Sequence, residues 1–308
     1  MKRKQREQTP TRTTTMRVSA NFGRRFALIE DSAPGVAVQA RTMGKRLRPV
    51  TGDRVEANAL EGEKDWVITQ ILDRDNTLVR PDARGRPETL AANVELIVVV
   101  ACPAPAADFF IVDRYLAAAR LMRAAGLLVW NKCELAPLPD DAQAYVDIGY
   151  PLVQTSTKTP SGIDALRDAI SGKRSIFVGQ SGVGKSSLIN AICRAPIQRI
   201  GEISTASEEG KHTTVAAQLV TTPDGVALID SPGVRDYAPS ITNMADVAEG
   251  FGEIADAAAR CRFANCRHRS EPVCAVKLAV ADGCISERRY ASYLRLAQLT
   301  RQLNTGRY

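Results

Sequence analysis

The sequence predicts a multidomain protein with an N-terminal OB-like β-barrel, a central α/β domain of the P-loop type and a C-terminal α-rich domain. Three observations lead to this prediction. Short strand-like runs fill residues 18–84, strands and helices alternate over residues 88–248, and cysteines and a histidine lie close together within residues 250–308. A chain of 308 residues is also long enough for two or three domains.

Composition restricts the class of protein. Lysine and arginine outnumber aspartate and glutamate by 41 to 34, and this excess permits an RNA or DNA partner. The longest apolar run, Leu96–Cys102, is far shorter than the roughly 18 residues of a membrane span, and the basic N-terminus lacks the apolar segment of a secretory signal. We therefore expect a cytoplasmic monomer with no membrane partner and with reduced thiols.

The N-terminal segment, residues 1–17, carries six Lys or Arg against a single Glu and has almost nothing to bury. This composition predicts a disordered basic arm. A solvated tail without a role fits the same residues equally well.

Residues 18–84 have the pattern of a small barrel, in which short strand-forming runs alternate with Gly, Pro and Asp turn signals. The predicted strands are Phe26–Glu30, Val36–Arg41, Val55–Ala57 and Trp66–Leu72. We favour an OB-like barrel, although the pattern fits an SH3-like barrel as well. Its loops would be made basic by Arg24, Arg25, Arg41, Lys45, Arg46 and Arg48.

The central region, residues 88–248, alternates strands with helices, which is typical of a parallel sheet covered by helices. Helical spacing over Phe109–Ala125 predicts a helix that stops at Gly126. The predicted strands are Val94–Ala101, Leu127–Trp130, Ser175–Val178 and Val226–Ile229.

A glycine-rich motif of the form G-x-x-x-x-G-K-[ST] follows the strand at 175–178 and opens a helix-forming run. Its glycines let backbone amides converge on phosphate oxygens at a helix N-terminus. Lys185 is a candidate catalytic residue, since it can reach the β- and γ-phosphates of a nucleotide. The candidate nucleotide-binding residues here are Gly179, Gln180, Ser181, Gly182, Val183, Gly184, Lys185, Ser186 and Ser187.

Candidate magnesium ligands lie in this loop and downstream of it. The Ser186 hydroxyl can bind Mg²⁺ directly, and Asp230, in an Asp-Ser-Pro-Gly sequence after a predicted strand, can bind it through water. The amide of Gly233 would sense the γ-phosphate of a bound nucleotide. Thr213 or Thr214 can complete the Mg²⁺ shell when a triphosphate is bound.

Two purine-reading elements precede the loop. The Asn-Lys-Cys-Glu sequence at 131–134 resembles the N-K-x-D element with which GTPases read guanine, and Ser-Thr-Lys at 156–158 resembles the supporting S-A-K element. Glu134 can accept hydrogen bonds from guanine, but its side chain is one methylene longer than that of the usual Asp. Adenine is therefore the alternative base. The candidate purine-binding residues are Asn131, Lys132, Glu134, Ser156, Thr157 and Lys158.

The order of these motifs is unusual. In ordinary GTPases the purine-reading elements follow the phosphate loop, whereas here both precede it. This order predicts a circularly permuted GTPase, a rearrangement that is tolerated when the original termini lie close together. It also places the switch region directly upstream of the C-terminal domain.

The catalytic assignment depends on a histidine. Val234 follows Gly233 at the position where many GTPases have a water-positioning Gln. His212, in the Gly-Lys-His-Thr-Thr run at 210–214, is the candidate that orients the attacking water. A histidine that only packs or binds RNA is the alternative.

A cluster of potential metal ligands predicts that the C-terminal domain is zinc-binding. Three thiolates and one imidazole make the closed tetrahedral shell that Zn²⁺ adopts in structural sites, and a chance group of free thiols is the alternative. Nearby basic residues would suit RNA phosphates or simply keep the surface polar. A basic helix is predicted over Ser286–Leu303. The candidate ligands are Cys261, Cys266, His268 and Cys274.

Together these motifs resemble the bacterial ribosome small-subunit-dependent GTPase family (RsgA/YjeQ). The resemblance covers nearly the whole chain and depends on the permuted order, the loop at 179–187, the switch runs at 210–214 and 230–233, and the metal ligands. It implies an OB domain, a permuted GTPase domain and a zinc domain. It also implies rRNA binding, catalysis by His212, and GTP hydrolysis stimulated by the small ribosomal subunit during its late maturation. Glu134 departs from the family pattern.

Two other functions fit the same motifs. One is an RNA-binding module whose nucleotide controls docking with negligible turnover. The other is a permuted ATPase that acts on nucleic acid.

Overall fold

The N-terminal region is a closed five-stranded barrel whose strands pair in the order β1-β2-β3-β5-β4, with β4 pairing back to β1. Its core includes Val18, Leu28, Val55 and Ile68. The predicted OB-like barrel is confirmed. Its strands are β1 (Pro10–Asn21), β2 (Phe26–Glu30), β3 (Ala33–Thr42), β4 (Arg54–Leu60) and β5 (Trp66–Ile71). The computed structural model describes residues 10–44, 46–81, 87–159, 161–193, 217–222, 225–230 and 244–305.

β1 begins at Pro10, so the structure corrects the expectation that residues 1–17 form a disordered arm. The threonines of this segment favour extended backbone, and the strand pairs with β4 along most of its length. Two of the basic residues that suggested a free tail have carboxylate partners, since Arg12 donates to Glu30 and Arg17 donates to Asp31, both at 2.7 Å. Residues 1–9 lie outside the described residues.

A hairpin connects the barrel to the central region. It consists of β6 (Thr77–Pro81) and β7 (Pro87–Ala92) and is not predicted from the sequence. In the barrel, Thr51 forms a bridge with Ala91 of this hairpin.

The central region is a sheet of five parallel strands with one antiparallel strand beside them, in the order β10-β9-β8-β11-β13-β12. Strands such as β8 are buried along their whole length, which explains their continuous apolar sequence. The predicted α/β fold is confirmed. The strands are β8 (Leu96–Ala101), β9 (Ala125–Asn131), β10 (Leu152–Thr155), β11 (Arg174–Val178), β12 (Gln218–Thr221) and β13 (Ala227–Asp230).

Helices cover both faces of this sheet. One face packs against α1 (Phe109–Leu121) and α2 (Asp140–Asp147), and the other against α3 (Ile163–Ile170) and α4 (Lys185–Cys193). Within the described part of the chain, every helix is too short or too polar to cross a membrane.

α1 is shorter than the helix predicted over 109–125, because Gly126 belongs to β9. Gly126 lies opposite Ile97 in the sheet, and a Cβ atom on it would be 2.8 Å from Leu116 Cδ2 of α1. The glycine therefore permits a close approach of α1 to the sheet instead of ending a helix.

The C-terminal region consists of four helices around the cysteine cluster, which confirms the predicted α-rich domain. Its core includes Val247, Phe251 and Tyr293, together with Phe110 and Ala117 of α1. The C-terminal helices therefore pack directly against the central domain. They are α5 (Met244–Glu249), α6 (Gly252–Ala258), α7 (Ala275–Ala281) and α8 (Glu287–Thr305).

The barrel and the central region share one continuous sheet. β1 pairs antiparallel with β12, with Ala20 opposite Gln218. Beside this pair, the buried hydroxyl of Thr51 donates to the carbonyl of Ala217. The barrel is thereby attached at the edge of the central sheet farthest from β10.

Candidate nucleotide site and metal centre

The candidate nucleotide residues collect at the carboxyl edge of the central sheet. β9, β10, β11 and β13 are parallel, so their carboxyl ends meet at the same edge. Each strand leads into a predicted motif, at positions 131–134, 156–158, 179–186 and 230 respectively. Open α/β sheets bind ligands in the crevice outside this edge.

Glycines give the loop between β11 and α4 its shape. Gly179, Gly182 and Gly184 have φ angles of +135°, +79° and +97°, in the left-handed region that other residues rarely adopt. A side chain at Gly184 would also collide with the side-chain amide of Asn131. The phosphate loop therefore lies against the purine motif, and α4 starts directly after it at Lys185.

Lys185 is held inside the curve of this loop. Its Nζ donates to the Gly179 carbonyl at 2.6 Å and to the Gln180 carbonyl at 2.5 Å, and the residue is buried. A cation at this position, beside the N-terminal amides of α4, can neutralise a polyphosphate. Within the same motif, the side chain of Val183 is buried, whereas the exposed residues include Ser181, Ser186 and Ser187.

The purine motif contacts the phosphate loop directly. Asn131 Nδ2 donates to the Val183 carbonyl at 2.8 Å, and Lys132 Nζ donates to the Gly182 carbonyl at 2.7 Å. The buried hydroxyl of Thr155 donates to Asn131 Oδ1 at 3.1 Å and so orients that side chain. Thr155 is not identified from sequence, although its place at the end of a strand beside the supporting motif is a usable signal.

The supporting motif lies beside Glu134. Ser156 is buried, and its hydroxyl accepts hydrogen bonds from the amides of Lys158 and Thr159, both at 3.1 Å. The hydrogen bond with Ser156 is the main cause that lowers the pKa of the Glu134 carboxyl. An ionised carboxylate at this edge can accept hydrogen bonds from a purine. The exposed residues of this group are Glu134, Thr157 and Lys158.

The loop after β8 completes the crevice and is not predicted from sequence. Gln180 turns its side chain toward this loop, where Oε1 accepts from the Asp108 amide at 2.9 Å. Lys132 Nζ donates to the Ala104 carbonyl at 2.5 Å. The signal that could identify this loop is its position after β8, which ends at the same edge of the sheet as the other parallel strands.

Two of the candidate magnesium ligands lie in the described residues. Ser186 is in the first turn of α4, and Asp230 ends β13, the strand next to β11. The end of β13 is therefore next to the strand that leads into the phosphate loop, where a shared Mg²⁺ would require Asp230 to lie. Outside the described residues lie His212, Thr213, Thr214, Gly233 and Val234.

The C-terminal cluster brings all four predicted metal ligands together. One ligand atom from each of Cys261, Cys266, His268 and Cys274 lies within 4.8 Å of the others. His268 Nδ1 is 3.5 Å from Cys261 Sγ and 3.4 Å from Cys274 Sγ, and these two sulfurs are 3.9 Å apart. A tetrahedral ion with metal–sulfur bonds of about 2.3 Å separates its sulfur ligands by about 3.8 Å. The cluster can therefore hold one metal ion.

Hydrogen bonds around the cluster fix the loop that carries the ligands. Tyr290 of α8 donates its hydroxyl to the His268 carbonyl. The Glu271 carboxylate accepts from the amides of Arg267 at 2.9 Å and Arg269 at 2.8 Å. These bonds, the one from Arg267 foremost, lower the pKa of Glu271 to about 2. Glu271 is not identified from sequence, because its partners are main-chain amides.

Comparison with known sequences relates the chain to one family. A family profile described as RsgA GTPase matches residues 71–239. The protein named small ribosomal subunit biogenesis GTPase RsgA in Alcanivorax borkumensis is 38% identical over 303 residues, with 94% of this chain and 86% of that protein covered. The protein of the same name in Pseudomonas aeruginosa is 40% identical over 288 residues, with 91% of this chain and 83% of that protein covered.

Two solved structures are similar to the whole fold. The crystal structure of YjeQ from Thermotoga maritima has a TM-score of 0.74 at 28% identity and covers 94% of this chain and 99% of its own. The crystal structure of YloQ, described as a circularly permuted GTPase, has a TM-score of 0.74 at 23% identity and covers 97% of this chain and 98% of its own. At that identity the second likeness bears on the fold alone.

Proposed function

Because this chain belongs to the RsgA GTPase family, we propose that it hydrolyses GTP and acts in the biogenesis of the small ribosomal subunit. The family resemblance drawn from the motifs is thereby confirmed. One observation carries the functional proposal: Asn131 bonds to the phosphate loop, so the purine-reading and phosphate-binding motifs share one crevice. Relatives covered along most of their length carry this activity in their names.

In this proposal the purine lies at the end of the crevice formed by the carboxyl ends of β9 and β10. Asn131 and Lys132 fix the phosphate loop against this end through the bonds described above. Glu134 accepts hydrogen bonds from N1–H and the 2-amino group of guanine, and residues 156–158 support it. Adenine offers no matching pair of donors, which favours GTP as the substrate.

The phosphates lie in the loop 179–187, where main-chain amides and Lys185 offset their charge. We assign the Mg²⁺ that accompanies the nucleotide to Ser186, Asp230 and one of the threonines at 213 and 214. This ion, when bound, supplies electrostatic stabilisation to the transferred phosphate. The amide of Gly233 would sense whether the γ-phosphate is present.

Hydrolysis needs a water molecule held in line with the γ-phosphate. We assign its orientation to His212, because Val234 stands where many GTPases have a glutamine. Without that glutamine the unstimulated rate is expected to be low. We propose that contact with the small ribosomal subunit raises it.

The metal of the C-terminal cluster is proposed to be Zn²⁺. Three thiolates and one imidazole are a preferred ligand set of Zn²⁺, and four protein ligands give the ion a structural role. Neighbouring arginines would let this domain contact rRNA phosphates.

We further propose that the chain acts as a cytoplasmic monomer on the small subunit and its rRNA. We propose domain boundaries of 18–84 for the barrel, 88–248 for the GTPase domain and 250–308 for the zinc domain. The packing of Val247 of α5 in the C-terminal core favours a second boundary nearer to residue 244.

Phosphate release from GTP measures the proposed activity. We expect slow release by the protein alone and faster release with isolated small ribosomal subunits, but no acceleration by large subunits. Ser186→Ala should abolish most turnover, because its hydroxyl is the proposed Mg²⁺ ligand. Ser171→Ala, at an exposed serine of the same domain, is the control and should keep the wild-type rate.

Two outcomes would contradict the proposal. Nucleotide binding without turnover under all these conditions would indicate an RNA-binding module regulated by its nucleotide. Displacement of labelled GTP by an equal concentration of ATP would indicate a permuted ATPase and would show that Glu134 does not select guanine.

A further inference from the structure

One helix, α1, lies between the central sheet and the C-terminal helices and contacts both. One face carries Val112 and Leu116 and packs on the sheet. Another face carries Phe110 and Ala117 and belongs to the C-terminal core. Asp113 lies on this second side, three residues after Phe110, and is fully buried.

Asp113 is a buried charge surrounded by donors from two other helices. Arg288 Nη1 of α8 is 2.8 Å from its Oδ2, and Arg289 Nη1 is 2.7 Å from its Oδ1. The Tyr145 hydroxyl of α2 donates to Oδ1 at 2.5 Å. Burial, together with the Asp113 charge, raises the pKa of Tyr145, so that hydroxyl keeps its proton. This carboxylate thus joins α8 to the central domain.

Arg289 extends the same network to α6. Its Nε and Nη2 donate to the two oxygens of Glu253 at 2.8 Å and 3.0 Å, the paired geometry of an arginine–carboxylate bridge. Its guanidinium also lies over the Phe251 ring, 4.6 Å from the centroid. Removing one charge leaves the others buried without full compensation, which favours separation of α8 from α1. The docked position of α8 therefore depends on Asp113.

The N-terminal end of α1 reaches the phosphate loop. Asp108 caps the helix by accepting from the Phe110 amide at 2.9 Å, and its own amide donates to the Gln180 side chain at 2.9 Å. At about 1.5 Å per residue, Asp108 and Asp113 are about 7.5 Å apart along the helix. A displacement of α1 at Asp113 therefore also displaces the partner of Gln180.

We propose that Asp113 is a positioning residue for the phosphate-binding loop: through α1 and Gln180 it links the docking of α8 to nucleotide affinity. This inference rests on the proposed nucleotide site and gives the C-terminal domain a route by which it controls that site. Coupling between two sites is reciprocal. Bound nucleotide therefore stabilises docked α8, and docked α8 raises the affinity for nucleotide.

Amide hydrogen exchange of the full chain tests the linkage without any substitution. The metal-loaded protein is measured with and without saturating GDP. We expect exchange in α8 to slow when GDP is bound, with the barrel strands β4 and β5 as an internal reference, since Val55 and Ile68 belong to a separate core. Exchange in α8 that does not respond to bound GDP would overturn the inference.

The variant Asp113→Asn tests the residue itself, because the amide keeps the shape of the carboxyl group and removes its charge. We expect the affinity for GDP to fall about fivefold and the response of α8 to GDP to disappear. Asp256→Asn, at an exposed aspartate of α6, is the matched control and should change neither quantity.

The outcomes separate the two proposals. If Asp113→Asn binds GDP within about twofold of the wild-type affinity, the linkage is wrong and the proposed function stands. If the wild-type chain does not bind GDP, the proposed function itself fails.

Discussion

Single residues decide whether the two halves of the nucleotide crevice fit together. Gly184 lies against the side chain of Asn131, and Asn131 is oriented in turn by Thr155. Each of these contacts joins segments that are far apart in the chain. Small changes here should therefore affect nucleotide binding more than stability.

Replacing Gly184 by alanine should weaken nucleotide binding. The new Cβ would meet the Asn131 amide at a φ of +97° that alanine disfavours. Strain of about 1–3 kcal/mol corresponds to an affinity for GDP about 5- to 150-fold lower. Equilibrium titration with a fluorescent GDP analogue measures the loss.

Gly172→Ala is the matched control for this variant. Gly172 also has a positive φ, of +69°, but open space surrounds the position of its Cβ. Its affinity for GDP should stay near that of the wild type. Equal losses in both variants would show that the contact with Asn131 is not the cause.

Asp31 gives the barrel a pH dependence. Two hydrogen bonds from Arg17, both of 2.7 Å, lower the pKa of its carboxyl from the ordinary 3.8. Because the pKa is lower in the folded state, the pair stabilises the barrel fully above the ordinary value, and this stabilisation is lost as pH falls through the lowered one. Asp31→Asn should therefore cost up to about 1 kcal/mol at neutral pH, a small effect because the carboxylate is largely exposed.

Denaturant titrations followed by the fluorescence of Trp66, in a Trp130→Phe background, would measure this difference. The gap between Asp31→Asn and its parent should shrink as pH falls below about 4. A gap of constant size down to the acid limit would mean that the charge of Asp31 is not responsible.

Among the elements, those next to a chemical motif were the most predictable. β11, α4 and β13 adjoin the phosphate loop and Asp230, and their apolar runs are continuous, so motif and periodicity agree. β10 and β12 have only four residues each and take their extended form from neighbouring strands, which no local pattern encodes. Residues 10–17 of β1 fall in the segment predicted as a disordered arm, because that segment is basic and has almost nothing to bury by itself.

The residues of the candidate site also differ in how well the sequence predicts them. Residues that carry a motif, such as Asn131 and Lys185, were predictable because their chemistry demands a fixed spacing. Thr155 and the loop at 104–108 reach the site only through strand order, and Asp113 meets Arg289 only through helix packing. Their positions depend on tertiary contacts between distant segments.

The cysteine cluster holds the neighbouring helices α7 and α8 in place. Cys274 immediately precedes α7, and Tyr290 of α8 bonds to the loop that carries His268. Cys266→Ala removes one of the four candidate ligands, so we expect metal affinity to fall at least about tenfold. Faster hydrogen exchange should follow in α7 and α8, with the barrel unchanged. Metal content and exchange, measured together, check both expectations.

Cys284→Ala is the control for that experiment, since this exposed thiol lies outside the cluster. It should retain the metal and the wild-type exchange. Loosening of the barrel by Cys266→Ala would contradict the separation between the N-terminal and C-terminal cores.

At the scale of the whole molecule, neighbouring domains are joined by packed contacts. The C-terminal helices share a core with α1, and the barrel continues the central sheet through the pairing of β1 with β12. Movement of one domain is therefore constrained by its neighbour. This arrangement suits a protein in which a nucleotide controls a distant surface.

The pairing of β1 with β12 has a second consequence, which concerns other copies of the same chain. β12 is the last strand of the central sheet. Without β1, its unpaired N–H and C=O groups could form hydrogen bonds with a strand of another copy of the chain. A chain lacking residues 1–92 should therefore self-associate, as seen by light scattering, at concentrations where the full chain does not. Val220→Lys should suppress this association by placing a charge on the exposed edge. The barrel would then protect the β12 edge of the central sheet from aggregation, and this protection would require neither nucleotide nor ribosome.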